Sequence, residues 1–130
     1  VTYGDGLANV NIEDLAKFHN THGRMASLTA SRPPSRFGIL DLSDIGIVNR
    51  FREKVETEWI NGGYFVFDRR VFDYLDQYCL LEQTPMEKLA EDGQLMAYRH
   101  EGFWMGMDTY REYEILNQMW DNNNAKWKVW

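Results

Sequence analysis

The stretch Phe51–Asp68, FREKVETEWINGGYFVFD, constrains this chain more than any other. Ile47, Val48 and Phe51 gather at its start, and Trp59, Ile60, Tyr64, Phe65, Val66 and Phe67 fill its second half. β-Branched and aromatic side chains pack well on a pleated surface, so the pattern predicts two strands. The first ends at Glu53-Lys54. An unbroken apolar run such as YFVF marks a strand covered on both faces, and therefore a central one. Gly62 and Gly63 interrupt that strand, as glycine does at a bulge or where a ligand must approach the backbone. Glu53 and Lys54 offer an acceptor and a cation on adjacent residues, which point to opposite faces of an extended chain unless a bulge turns them. A solvated strand end and glycines that curve a sheet would explain the same residues.

Upstream, Val1–Tyr3 reads as a strand that ends at Gly4-Asp5-Gly6. The two glycines let the backbone turn sharply and leave the Asp5 carboxylate at the strand tip. Ligands of open α/β sheets bind at that end of the strands, and a carboxylate there can hold Mg²⁺; a simple Asp-Gly turn accounts for it equally. A domain rarely begins inside an apolar strand, and the chain has no initiator Met. The expectation is that Val1 is an internal position, the alternative being removal of a leader.

Asn11 is placed to cap a helix from Ile12, with Ile12, Leu15, Ala16 and Phe18 as its buried arc and Gly23 as its stop. His19 and His22 have metal-like spacing, but without a nearby third ligand they read as structural. Met25–Ala30 is the next strand. The proline loop at Arg32–Arg36 follows, then a hairpin from Phe37–Asp41 through Ser43-Asp44 into Gly46–Lys54. Gly38 in that hairpin could turn a backbone N–H to a ligand. Val71–Tyr78 reads as a short helix. Thr84 is expected to cap a helix over Pro85–Ala90 with Gly93 beyond its end, and Gln94–Arg99 as a strand. The Gly-broken apolar stretch Gly102–Met107 leads to Asp108. Thr109–Glu112 then forms a capping box, opening a helix to about Met119 with Tyr113, Leu116 and Trp120 on one face. Asp108 stands just before that N-terminus, where the helix dipole favours it and where it could also face a metal. The tail Trp127–Trp130 is aromatic enough to pack on this domain or on a neighbouring subunit.

At 130 residues and 44% hydrophobic, the chain suffices for one cored domain. A net charge of −6 argues against a general binder of nucleic-acid polymers or of membranes, both of which need excess positive charge. A small phosphorylated ligand remains compatible, because it needs only one or two local cations and a metal. The single Cys79 fits a reducing cytoplasm, and the sequence carries no phosphate-binding Gly-rich loop ending in Gly-Lys-Ser/Thr.

Taken together, Tyr3–Gly6, Arg36–Gly38, Glu53-Lys54, Trp59–Gly63 and Phe103–Thr109 follow an order that resembles the sugar-1-phosphate nucleotidylyltransferases. The resemblance runs from TYGDG to WKVW. The phrases WINGG, KLAEDGQLMAY, GFW…MDT and WKVW are similar to the cytidylyl branch, which uses CTP and glucose 1-phosphate to make CDP-glucose. It implies an α/β fold: a Rossmann-like mixed sheet with flanking helices, of which this chain is the C-terminal, sugar-phosphate half. It also implies roles. Asp5 and Asp108 correspond to the aspartates that hold Mg²⁺, and Lys54 to the lysine that meets the sugar phosphate. Glu53, Asn61 and Gly62 match sugar contacts, and Gly38 a backbone contact. Asp5, Lys54 and Asp108 are the expected catalytic set, and a homo-oligomer is the expected assembly. Val55 replaces the family's usual proline, and Cys79–Gln83 departs from its usual Val-Trp-Glu, leaving the role of Glu82 open. Because the family's Gly-rich triphosphate segment has no match here, these 130 residues alone are expected not to catalyse. A thymidylyl or guanylyl enzyme, or a non-catalytic sugar-phosphate binder, are the competing readings. A metal-dependent glycosyltransferase fits less well, since Gly4-Asp5-Gly6 is not Asp-x-Asp.

Overall fold

The computed structural model describes residues 1–33, 39–52 and 58–130. Its elements are β1 (Gly6–Ala8), α1 (Ile12–His22), β2 (Ala26–Ser31), β3 (Ile39–Leu42), β4 (Val48–Arg52), β5 (Ile60–Phe67), a 3-10 helix (Arg69–Tyr74), α2 (Thr84–Glu91), β6 (Leu95–His100), β7 (Trp104–Gly106) and α3 (Tyr110–Asp121). The main sheet has the order β5-β2-β6, with β2 antiparallel to β5 and parallel to β6. This is the mixed α/β arrangement expected. β1 pairs antiparallel with β7, and β3 with β4, in two separate ladders. Among the described residues, no helix is long and apolar enough to cross a membrane.

The middle strand of the three is β2, not β5. Its sequence, ASLTAS, is small and polar, which hid its place: Ser27, Thr29 and Ser31 are buried although polar. Small side chains suit a position squeezed between layers; the Ser27 hydroxyl finds partners there, whereas Thr29 Oγ1 has none among the described residues. Ser27 Oγ lies 2.9 Å from His19 Nδ1 and 2.7 Å from His22 Nε2. His22 Nδ1 accepts the Arg24 N–H at 3.0 Å, so Nε2 carries the proton and donates to Ser27. The two histidines are thus structural. β5 still has neighbours along both edges: Thr2 bridges Tyr64, and Phe65 exchanges hydrogen bonds with Val1. Val1–Tyr3 therefore lies along β5 as an isolated bridge, shorter than the expected strand.

Alternation along β2 sorts the layers. Ser27 faces α1 through the histidines. On the opposite face Ala26 and Leu28 join Phe65, Val71, Met86 and Leu89, which come from β5, the 3-10 helix and α2. Helices consequently flank both faces of the sheet.

Local signals set most helix ends. Asn11 Oδ1 accepts from the Asp14 N–H at 3.2 Å, and Gly23 at φ 66° closes α1. Ile12, expected in the buried arc, is exposed, whereas Leu15 and His19 are the buried residues of α1. Val71–Tyr78 is not an α-helix: the 3-10 helix begins at Arg69, capped where Asp68 accepts from the Arg70 N–H at 2.9 Å. Thr84 is not the cap of α2 either. It is already helical, and Gln83 occupies the cap position without a side-chain bond. The expected hairpin exists as β3–β4, but Leu40, Leu42, Val48 and Phe51 are exposed.

Candidate active site

The β1–β7 ladder builds one side of the site. Gly6 pairs with Gly106, and the Met107 N–H donates to the Asp5 carbonyl at 2.8 Å. Asp5 precedes the first glycine and Asp108 follows the second by two residues, so the ladder carries both carboxylates to one place. Asp108 folds back toward it: a Cβ added at Gly106 would meet Asp108 Oδ2 at 2.9 Å. The capping box fixes the Asp108 backbone. Glu112 Oε2 accepts the N–H groups of Asp108 at 3.1 Å and Thr109 at 2.9 Å, and Thr109 Oγ1 accepts from the Glu112 N–H. Glu112 is itself buried, which makes this a firm anchor.

β5 builds the other side. Its pairing with β2 steps from Leu28↔Phe65 to Ala30↔Asn61, so the strand bulges across Gly62 and Gly63. The glycines are explained by the chain itself. A Cβ at Gly62 would stand 2.9 Å from the Thr29 carbonyl oxygen of β2, and Gly63 adopts φ 77° with Tyr3 packed 3.1 Å away. The bulge expected from the sequence is present. Trp104 Nε1 donates to the Gly62 carbonyl at 2.8 Å and Tyr64 Oη to the Gly6 carbonyl at 2.9 Å, so the two ladders are bolted together.

Between them lies an open cleft of about 230 Å³ lined by Asp5, Asp108, Tyr3, Asn61, Glu82 and the glycines 6, 62, 63 and 106, with Trp104. Sequence reasoning missed three of these polar or aromatic walls. In the sequence Trp104 stands only within a motif, Tyr3 reads as a strand residue, and Glu82 carries no assigned role. Asn61 Nδ2 donates to Glu82 Oε1 at 2.7 Å, while Asn61 Oδ1 accepts the Gly63 N–H at 2.9 Å. Burial, followed by the hydrogen bond to Glu82, pushes the Tyr3 phenol up to about 12, so it stays a donor throughout the physiological range. A larger hollow of about 350 Å³ is lined by Arg32, Trp59, His100, Glu101 and Gly102, with the Arg32 guanidinium 4.2 Å over the Trp59 ring. It contains none of the expected site residues, and the smaller cleft with its two carboxylates is the better candidate.

The structure thus brings Asp5, Asp108, Asn61 and Gly62 to one cleft. Gly38, Glu53 and Lys54 lie outside the described residues. Among the described residues no group of three or more His, Cys, Asp or Glu is arranged to hold a metal. A pair of carboxylates suits Mg²⁺ all the same, since that ion prefers one or two carboxylates and takes its remaining oxygens from water and phosphates.

The chain is thus a mixed α/β protein with two aspartates at a glycine-lined cleft. Residues 1–120 match the nucleotidyl transferase family, and the chain belongs to it. It is 45% identical over 132 residues to the glucose-1-phosphate cytidylyltransferase of Salmonella typhi, covering 99% of this chain and 51% of that protein. The Salmonella typhimurium glucose-1-phosphate cytidylyltransferase matches equally, at 45% over 132 residues, with the same coverage. The chain spans about half the length of the curated relatives it matches. Its fold is shared with HddC from Yersinia pseudotuberculosis at a TM-score of 0.62 and 17% identity, over 90% of this chain and 52% of that one.

Proposed function

We propose that this chain is the sugar-phosphate half of a nucleotidylyltransferase that joins CTP and glucose 1-phosphate into CDP-glucose and pyrophosphate. The observation that carries the reading is the single cleft shared by Asp5, Asp108 and the polar group Asn61–Glu82. A sugar phosphate needs both features, a place for its charge and a place for its hydroxyls. The 45% identity to glucose-1-phosphate cytidylyltransferases supports the choice of base and sugar.

In this reaction a phosphate oxygen of the sugar 1-phosphate attacks the α-phosphorus of CTP. The new P–O bond forms as the bond to pyrophosphate breaks. No general base is needed, because a phosphate monoester is already ionised near neutral pH. The barrier is mainly repulsion between anions and their alignment. Asp5 and Asp108 would hold Mg²⁺, which when bound offsets the charge that builds on the phosphates. Lys54 would orient the nucleophilic phosphate. Glu53, Asn61, Gly62 and Glu82 would face the sugar, with Gly38 offering a backbone contact. The glycine-lined wall lets a phosphate come close to the backbone without a Cβ in the way. The reading extends to a homo-oligomer, supported by the exposed Val129 and Trp130 beyond the docked Trp127, and to a reducing cytoplasm, supported by free Cys79.

The test is a chimera in which this chain replaces the segment it matches in the Salmonella typhi relative. With Mg²⁺ and glucose 1-phosphate, it should release pyrophosphate from CTP in preference to UTP, GTP or dTTP. Asp5→Asn and Asp108→Asn should each lower turnover by about 100-fold, the scale of removing one strong electrostatic contact to the transition state. Full turnover in both variants would sink the reading.

A further inference from the structure

We propose that Tyr64 is a positioning residue for the metal carboxylate Asp5: it clips both ends of the glycine-flanked turn that carries Asp5, so that the carboxylate is set at the cleft before an ion arrives. The inference rests on the metal role given to Asp5 above and adds what fixes that residue in place.

Asp5 sits in a bend between Gly4 and Gly6. Glycine on both sides gives this backbone wide freedom, and a carboxylate carried on it would have to be ordered each time an ion binds. Asp108 has its own anchor, because the capping box of α3 holds its N–H. Asp5 is anchored from β5 and β7 instead. Before the turn, Thr2 bridges Tyr64, the Tyr3 N–H donates to the Gly63 carbonyl at 2.9 Å, and the Phe65 N–H donates to the Val1 carbonyl at 2.8 Å. After the turn, the Tyr64 hydroxyl donates to the Gly6 carbonyl at 2.9 Å. One residue therefore holds the chain on both sides of Asp5, with its backbone at Thr2 and its side chain at Gly6. The Met107 N–H adds a third point, at the Asp5 carbonyl, over 2.8 Å.

The chemistry of the side chain fits this role. Side chains alternate along a strand, and the neighbouring Phe65 is buried in the core, so Tyr64 turns to the opposite side, where it is half-buried. A phenylalanine would fill that place as well. What the tyrosine adds is a hydroxyl, bonded to a main-chain carbonyl one residue from Asp5. The Trp104 indole makes the companion bond, to the Gly62 carbonyl at 2.8 Å, which ties the sugar wall to β7 and touches neither end of the Asp5 turn. The two bonds divide the cleft, with Tyr64 on the metal side and Trp104 on the wall.

Mn²⁺ takes the same oxygen ligands as Mg²⁺ and gives a readout independent of turnover, since its free-ion EPR signal falls as the chimera described above binds it. Tyr64→Phe keeps the ring and removes only the hydroxyl. It should weaken Mn²⁺ binding about tenfold, the lower end of what losing a supporting contact does to a metal site. Calorimetric affinity for glucose 1-phosphate and the unfolding temperature should stay near those of the wild type. Gly4→Ala stiffens the same turn by another route, because Gly4 lies outside the left-handed region and its added Cβ would meet nothing within 4 Å. In the Tyr64→Phe background it should restore part of the lost Mn²⁺ affinity. Unchanged Mn²⁺ affinity in Tyr64→Phe, while Asp5→Asn weakens it, would overturn the positioning role and leave the functional reading standing. Equal losses of Mn²⁺ and glucose 1-phosphate, or a Mn²⁺ loss that Gly4→Ala does not reduce, would also overturn it, because both mean a general disturbance of the fold. Mn²⁺ binding that neither Asp5→Asn nor Asp108→Asn weakens overturns the metal reading, and this role with it.

Discussion

Gly106→Ala separates the two jobs of the cleft glycines, holding the fold and leaving room for a carboxylate. The added Cβ would stand 2.9 Å from Asp108 Oδ2, against ordinary contact from 3.4 Å. The shortfall is about 0.5 Å, and the neighbour that must yield is the tip of an exposed side chain. Rotating it away costs about 0.5–1.5 kcal/mol, so the fold should lose at most about 1.5 kcal/mol. Mg²⁺ tolerates displacement far less, because it binds near 2.1 Å in close to octahedral geometry. Misplacing one of two carboxylates should therefore raise the Mg²⁺ concentration for half-maximal pyrophosphate release by about 10- to 100-fold in the chimera. Gly62→Ala is the contrasting case. Its Cβ would meet the Thr29 carbonyl oxygen, backbone of the middle strand, also at 2.9 Å. A backbone atom cannot rotate aside, so overpacking of about 1–3 kcal/mol should appear directly in thermal unfolding. If Gly106→Ala leaves the Mg²⁺ dependence unchanged, or destabilises the chain as much as Gly62→Ala, the argument that Asp108 is poised as a metal ligand over Gly106 is refuted.

Lys54→Ala should raise the KM for glucose 1-phosphate and lower kcat together, a loss of roughly 2–4 kcal/mol in transition-state stabilisation; steady-state kinetics of the chimera would expose a merely solvated lysine by showing no change. Thr109→Ala removes the side-chain cap of α3 and should cost about 1 kcal/mol in denaturant unfolding, while Thr109→Ser should retain most of it. Burial, with help from His19 and Arg24, holds the His22 imidazole below its ordinary value of 6.5. Because the unfolded chain takes up that proton first, His22 contributes stability above about pH 6.5 that is lost as pH falls through and below that value. His22→Gln should flatten that part of the stability–pH curve, and an unchanged slope would assign it to other groups.

How much of this was legible in the sequence follows the range of the forces involved. The Asn11 cap, the Gly23 stop and the Thr109–Glu112 box act within one helical turn, and each was readable as spelled. The YFVF run announced β5, and its two glycines announced a bulge or a close ligand approach, of which the bulge is present. What failed depended on neighbours distant in the chain. The middle strand, ASLTAS, carries little apolar signal, since its burial comes from β5 and β6 closing over it and from histidines that satisfy Ser27. Ile12 sits at a helical position fit for burial and is exposed.

The site divides in the same way. By itself the sequence determined the residue types, two aspartates each beside a glycine turn or helix start, and an order of motifs that resembles one enzyme family. Only the tertiary structure decided that Gly6 faces Gly106, which sets Asp5 and Asp108 at one cleft, and that Tyr3, Asn61 and Glu82 meet although they are up to 79 positions apart in the sequence. Spacing along a chain encodes contacts only where the backbone repeats with a fixed period, within a helix turn or along a strand. Contacts between elements depend on how ladders register and layers pack, and that is settled by the whole fold at once.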